Sequence, residues 1–355
     1  MSPCSRCKNP PGLPSEEGTL FVAPPRTHTR GIMRKVLRQT GMPFEEYAEG
    51  VLAIELASGR LEKLSGAFGE AFSPTEVEDA RALVVPPGVE PSVTDLVRTQ
   101  SLNTLMASVR GRWPTEMVRD GRLTTHFQPI VSASDPSRVF AYECLLRGVD
   151  ANGSLVSPGG MFEAARPAGL LFDLDREARI LAIKEATAHG ISANVFVNFN
   201  PTSVYDPVYC LRSTMEAVEE SPMSPQDIVF EVTESDEVKD VKHLVRIIDF
   251  YREAGFRIAL DDLGAGYGSL NLMNNLRPDF VKLDLELVSG VHRDLYKAQV
   301  ATKVLEMAQK LDVATVAEGV EHEEEWRWLA ENGADFVQGY FFAAPASPPP
   351  VPAYA

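Results

Sequence analysis

From about residue 113 onward, short runs of β-branched and aromatic residues alternate with longer stretches whose apolar positions recur every three or four residues. The first pattern predicts strands and the second amphipathic helices. Strands are expected at His126–Val131, Phe140–Leu146, Val195–Phe199, Ile228–Val232, Arg257–Leu260, Phe280–Leu283, Val313–Ala317 and Phe336–Gln338. Helices are expected at Met161–His189, Val238–Gly255, Leu295–Lys310 and Glu323–Asn332. Strands that alternate with helices of this length predict a parallel sheet, and eight of them in roughly 230 residues predict a barrel. Only Ser132–Arg138 separates the first two strands. That is too short for a crossover helix, so this pair is expected to run antiparallel. The expected fold class is α/β: a TIM-like (β/α)8 barrel with an antiparallel first strand pair, preceded by a smaller α+β N-terminal region.

Before residue 113 the pattern is less regular. Residues 1–30, rich in proline and polar residues, read as a flexible segment with one short strand at Thr19–Ala23. Helical spacing recurs at Ile32–Gln39, Thr75–Leu83 and Ser92–Val109, and Val51–Leu56 with Arg60–Leu64 reads as a hairpin turning at Ser58-Gly59. Pro86-Pro87-Gly88 interrupts this region. Residues 31–112 carry no recognisable chemistry and read as a regulatory or oligomerising region of unknown fold, or as a scaffold without a ligand. The barrel is expected over residues 113–347, followed by a flexible Pro-rich tail at 348–355.

Composition narrows the function classes. At 355 residues and 44% hydrophobic, the chain can bury one large core and a smaller one. A formal charge of −16 argues against duplex nucleic acid or an anionic membrane surface as a partner. No apolar run approaches the roughly 18 residues that span a bilayer, and the N-terminus lacks an apolar signal region, so the expected location is cytoplasmic, with no membrane span. Four cysteines do not make a disulfide framework. Cys4 and Cys7 form a Cys-x-x-Cys pair with no second pair to complete a zinc site, which leaves a flexible, inert N-terminal segment as the better reading and metal binding or redox chemistry as the alternative.

Candidate chemistry begins with Glu231, which ends the apolar run Ile228-Val229-Phe230. Taken alone it could open a surface turn, with Thr233 or Ser235 capping the next helix. The other strand ends change the picture: they carry Glu143, Asn198, Asp261 with Asp262, Lys282 with Asp284, Glu318 with Glu321, and Gln338. In a closed barrel these residues share one mouth. Crowded carboxylates demand cations, one or two divalent ions, and an all-oxygen donor set without His or Cys favours Mg²⁺ or Mn²⁺ over zinc. Asp261-Asp262 suits a carboxylate that bridges two ions, as in sites that act on phosphate esters. Lys282 beside such ions would position or help deprotonate a water. The Gly-rich run from Asp262 to Ser269 reads either as a tight strand-to-helix turn or as a loop that orders around substrate.

Together, Glu143-Cys144-Leu145-Leu146-Arg147, Asn198-Phe199-Asn200-Pro201, Glu231-Val232-Thr233-Glu234, Asp261-Asp262-Leu263-Gly264-Ala265-Gly266-Tyr267, Lys282-Leu283-Asp284, Glu318-Gly319-Val320-Glu321 and Gln338-Gly339-Tyr340 resemble the EAL-domain cyclic di-GMP phosphodiesterases. The resemblance runs from about residue 113 to 347. It implies that Glu143, Asn198, Glu231, Asp261, Asp262 and Glu318 hold two Mg²⁺ or Mn²⁺ ions, with Lys282, Glu318 and Glu143 as the catalytic group. It implies that Lys282 serves the hydrolytic water and that Arg147 meets a substrate phosphate. Gln128, Leu145 and Gln338 would contact substrate, Glu234 would anchor the Gly-rich loop, and Glu321 and Asp284 would support the site. Three positions depart from the family pattern: Cys144 stands for Ala, Leu263 for Phe and Gly268 for Ser, and none removes a ligand.

The function so implied is metal-dependent opening of cyclic di-GMP to linear pGpG. The alternative is a catalytically silent cyclic di-GMP receptor or protein-interaction regulator on the same barrel. A full ligand set favours catalysis. The expected partners are cyclic di-GMP, a second copy docked through the barrel, and an unknown regulator or ligand of the N-terminal region. No Gly-Gly-Asp/Glu-Glu-Phe run marks a fused cyclase.

Overall fold

The computed structural model describes residue 15 and residues 17–201, 204, 206–233, 240–264 and 269–353. These divide into two compact units, one from residues 15–121 and 159–174, the other from residues 122–158 and 175–353.

The first unit is built on β1 (Gly18–Ala23), β2 (Phe44–Ala48), β3 (Val51–Leu56), β4 (Arg81–Val85) and β5 (Gln100–Ser101), in the antiparallel order β2-β3-β1-β4-β5. Alternation in β1 sends Leu20 and Val22 into the main core and Phe21 to the other face. Helices Thr27–Thr40, Arg60–Ala71 and Leu102–Arg110 contribute Met33, Leu37, Leu64, Phe68 and Leu105 to that core. Arg60–Leu64, expected as the second arm of a hairpin, is helical. Leu61, Leu64 and Phe68 repeat at helical spacing, and β3 takes its hairpin partner from β2 instead. The stretch Thr75–Leu83 splits into helix Pro74–Asp79 and β4. Ser92–Val109 splits into a 3-10 turn, β5 and helix Leu102–Arg110, where the Ser101 hydroxyl accepts from the Thr104 N–H at 3.0 Å and starts the helix.

The second unit contains β6 (Leu123–Ser132), β7 (Val139–Val149), β8 (Leu155–Val156), β9 (Asn194–Phe199), β10 (Ile228–Thr233), β11 (Arg257–Leu263), β12 (Phe280–Leu283), β13 (Ala314–Ala317) and β14 (Phe336–Val337). The sheet runs β6-β14-β13-β12-β11-β10-β9-β7 and closes through β6–β7, making an eight-strand barrel; β8 only extends the far end of β7. All neighbours from β7 round to β14 are parallel, and β6 is antiparallel to both its neighbours. The short link between β6 and β7 dictates that reversal. The single helix expected over Met161–His189 is two, Pro158–Ala165 and Leu171–Ala188. Pro167 brings no N–H to continue the first, and Gly169 takes a left-handed φ of 72° that ends it.

Inside the barrel, Ile130, Ala141, Phe196, Val229, Ala259, Phe280 and Val316 form an apolar plug, joined by Phe140 stacked on Phe336 at 3.8 Å. This layer excludes water from one end of the barrel and supports the layer above it. Beyond Gly339 the chain returns to the barrel: Ala346 exchanges two backbone hydrogen bonds with Phe127 at 2.8 and 3.1 Å, and the Tyr142 hydroxyl donates to the Pro350 carbonyl at 3.2 Å. Among the described residues no helix is long and apolar enough to cross a membrane.

Candidate active site

Side chains two apart on a strand share a face. Two residues beyond the plug positions Ala141, Phe196, Val229, Ala259, Phe280 and Val316 stand Glu143, Asn198, Glu231, Asp261, Lys282 and Glu318. On β6, which runs the other way, the same layer is reached two residues earlier, at Gln128 before Ile130. Strand period and direction therefore deliver seven polar side chains to one level above the plug. The β ladders fix their neighbours: Glu231 lies opposite Asn198 on one side, and Gln128 lies opposite Glu143.

Adjacent residues on a strand normally face opposite ways, so Asp261 and Asp262 need a special device to serve one site. The register between β11 and β12 shifts between Leu260 and Leu263, and Asp262 takes a left-handed φ of 58°. Aspartate tolerates this conformation better than branched residues do, and such a kink re-aims side chains. Carboxylate oxygens of Asp261, Asp262 and Glu318 come within 4.8 Å of one another, as do those of Glu143, Glu231 and Glu318.

Lys282 sits among these carboxylates with 1% of its side chain exposed. Its Nζ is 2.5 Å from Glu231 Oε1, 3.2 Å from Asp261 Oδ1 and 3.8 Å from Glu143 Oε1, and it also contacts Glu318 Oε1. Amides orient the rest. Asn198 Nδ2 donates to Glu143 Oε1 at 3.3 Å, and Gln338 Nε2 donates to Glu143 Oε2 at 2.6 Å and to Gln128 Oε1 at 3.0 Å. Gln128 in turn donates to the Ala343 carbonyl at 3.3 Å.

The electrostatics follow from burial and crowding. Glu231 is fully buried; desolvation, reinforced by Glu143, Asp261 and Glu318, pushes its pKa well up despite Lys282. Burial and the Asp261 charge push Asp262 up to about 6, and burial with neighbouring carboxylates pushes Glu318 up to about 8. Burial alone would lower the pKa of Lys282, but its four carboxylate neighbours outweigh that and raise it well above the usual lysine range. Five acidic side chains share a single ammonium, so several are held protonated without cations, and Glu231 Oε2 has no hydrogen-bond partner among the described residues. Both features fit a hard, all-oxygen site for divalent ions.

These shifts have a measurable consequence. Unfolded Asp and Glu titrate near 4, so between about pH 4 and 8 the folded, metal-free protein binds more protons than the unfolded chain. Its stability should therefore fall as pH rises through that window. Saturating Mn²⁺ should flatten the slope, because ligation requires the ionised carboxylates. Melting temperatures from pH 5 to 8.5, with EDTA and with Mn²⁺, test this; the same slope in both would contradict it.

Gln128, Glu143, Glu318, Glu321 and Gln338 line a cavity of about 280 Å³ together with Leu285, Gly319, Gly339 and Tyr340. Arg147 and Leu145 follow Glu143 on the same face of β7, both half-buried. Asp284 is engaged locally: it caps helix Leu285–Val288, its Oδ1 accepting from the Glu286 N–H at 2.7 Å. Glu234 and most of the Gly-rich loop, residues 265–268, lie outside the described residues, as do Cys4 and Cys7.

Several contributors escaped the sequence reading. Gly339 is required by contact, since a Cβ there would stand 2.0 Å from the Val320 carbonyl oxygen. Asp175 accepts the Asn200 N–H at 2.9 Å, fixing the chain just past Asn198, and is itself paired with the fully buried Arg179. Tyr340 and Leu285 enter the cavity from outside the polar layer. The only signal for Tyr340 was its place in Gln338-Gly339-Tyr340.

The EAL domain family matches residues 112–345. Probable cyclic di-GMP phosphodiesterase PdeG of Escherichia coli K12 is 28% identical over 244 residues, covering 66% of this chain and 47% of that protein. The blue light- and temperature-regulated antirepressor BluF of the same organism is 26% identical over 220 residues, covering 61% of this chain and 53% of that protein. The chain thus spans about half the length of these curated relatives. A standalone EAL protein of Vibrio cholerae O395, solved with cyclic di-GMP bound, is 34% identical with a TM-score of 0.57, covering 63% of this chain and 92% of that one. With the barrel, the strand-end donor set and a family match over most of its length, the chain belongs to the EAL domain family.

Proposed function

We propose that the barrel hydrolyses cyclic di-GMP to linear pGpG in the bacterial cytoplasm, lowering the level of a second messenger. The observation that carries this reading is the completeness of the donor layer: Glu143, Asn198, Glu231, Asp261, Asp262 and Glu318 surround one mouth with Lys282 among them. These six residues would hold two Mg²⁺ or Mn²⁺ ions. Such ions supply Lewis acidity, lowering the pKa of a water and offsetting charge at a phosphoryl group.

The chain's own residues do the rest. Lys282 is held protonated by the carboxylates around it; cations held by those carboxylates would weaken that field, so that Nζ would release a proton to solvent and, as the free amine, would orient the attacking water and accept its proton. Arg147 meets a phosphate from the rim of β7 with donors suited to two oxygens. Gln128, Leu145 and Gln338 contact substrate, with Gln338 also holding Glu143 in its orientation. Glu321 and Asp284 support the loops around the cavity.

The name of BluF, an antirepressor, motivates a second reading in which the same barrel regulates a partner protein without turnover. One experiment separates the two. Purified chain is incubated with cyclic di-GMP and Mg²⁺ or Mn²⁺, beside an EDTA control and Glu143→Ala, and the nucleotides are resolved by chromatography. Linear product that needs metal and vanishes in Glu143→Ala is expected. Nucleotide binding without product would instead identify a receptor.

A further inference from the structure

Glu325 is outside the donor layer, yet its side chain is among the most deeply buried charges of the barrel, at 1% exposure. Three backbone N–H groups surround its carboxylate. Oε1 accepts from Gly290 at 2.8 Å; Oε2 accepts from Glu321 at 3.0 Å and from His322 at 3.1 Å. Burial acts to raise its pKa, but these hydrogen bonds outweigh it and hold the carboxyl below the usual range, so it stays ionised.

A bland explanation covers one of the three bonds. Glu325 is the third residue of helix Glu323–Glu331, and reaching back to the His322 N–H is the ordinary gesture of a capping box. The other two exceed that role. The Glu321 N–H belongs to the segment that carries Glu318 and Glu321, and Gly290 lies 35 residues away in sequence, just past helix Leu285–Val288. One carboxylate therefore ties together the two segments that leave β12 and β13. They also meet directly at Gly319, whose added Cβ would stand 2.3 Å from Leu285 Cδ1. Glu318, at the base of this junction, contacts Lys282.

We propose that Glu325 is a positioning residue: by clamping Glu321, His322 and Gly290 through their backbone N–H groups, it sets the loop that brings Glu318 to the ion site. This rests on the reading of the barrel mouth as a divalent-metal site. Glu325 belongs to neither acidic cluster and does not line the cavity, so its influence must appear first in metal affinity and loop protection.

The test uses the full chain with Glu325→Ala and Glu325→Gln. Amide hydrogen exchange is followed at Gly290, Glu321 and His322, Mn²⁺ affinity is measured by calorimetry without nucleotide, and melting in EDTA checks folding. In Glu325→Ala, exchange at those amides should accelerate at least tenfold and Mn²⁺ affinity should fall by about tenfold, within the range typical of residues that orient metal ligands. Glu325→Gln keeps one acceptor oxygen and should show a smaller change in the same direction. If the alanine variant does not fold, the glutamine variant decides by the same signs. A folded variant with unchanged exchange, or with altered exchange but wild-type Mn²⁺ affinity, overturns this assignment alone. A wild-type chain that binds no Mn²⁺ overturns the metal-site reading and this assignment with it.

Discussion

Lys282→Met is expected to lower kcat for cyclic di-GMP hydrolysis by about 10²–10⁴, the usual contribution of a positioned proton-transfer group, and to destabilise the metal-free protein. Both effects come from one geometry. Lys282 Nζ lies within 4 Å of Glu143, Glu231, Asp261 and Glu318, so it is their shared counter-ion before any metal arrives. Removing one partner of a buried pair typically costs about 3–5 kcal/mol because the remaining charge is stranded. Here the stranded carboxylates can take up protons, which softens the loss at low pH and makes it largest at high pH. Mn²⁺ should restore much of the stability, since divalent ions supply the missing positive charge, but should not restore turnover. Melting temperatures in EDTA and in Mn²⁺, with single-turnover assays on both proteins, provide the check. A variant that melts like wild type in EDTA would contradict the counter-ion role, and one that turns over within tenfold of wild type would contradict the proton-transfer role.

The barrel was legible because its information is local and periodic. Each strand of the mouth is a short apolar run with a polar residue at its end, and period two then decides which residue shares a face with the plug. The layer rule even reaches Gln128, once β6 is known to run backwards. What stayed hidden depends on contacts between distant segments. Arg60–Leu64 alone has too few residues to distinguish alternation from helical spacing; Phe68 and the pairing of β2 with β3 decide it. Glu323, Glu324 and Glu325 are chemically alike in the sequence, and only the fold shows that the third turns inward to three backbone donors. Asp284 reads as a site carboxylate from its strand-end position, while the structure also gives it a helix to cap. Pairwise geometry of this kind leaves no periodic trace.

Glu231→Gln should separate stability from metal binding in opposite directions. Glu231 is fully buried, its neighbours include three other carboxylates, and its Oε2 has no hydrogen-bond partner among the described residues. Its pKa is pushed well up, so in the metal-free protein the ionised form is disfavoured, and the amide is close in shape to the protonated acid that burial prefers. Below about pH 4 the exchange should be nearly neutral, because folded and unfolded chains both bind the proton. As pH rises the wild type must hold a proton against solvent or carry a buried charge, whereas glutamine does neither, so the advantage of the variant should grow. Replacing buried ionic groups by neutral ones of the same volume commonly stabilises by about 1–4 kcal/mol. The lower end is expected here because Lys282 loses its 2.5 Å partner while keeping three others. Near pH 8 in EDTA this corresponds to a rise in melting temperature of about 2–4 °C per kcal/mol for a domain of roughly 150–250 residues. Mn²⁺ affinity should meanwhile fall by at least about 100-fold, the upper end of the loss seen when only an outer partner of a ligand is removed. A lower melting temperature at pH 8 would mean that Glu231 is a structural half of the Lys282 pair. A rise together with lost Mn²⁺ binding would mean that the metal-free fold carries this carboxylate at a cost that only the ions relieve, the signature of a residue placed for function rather than for folding.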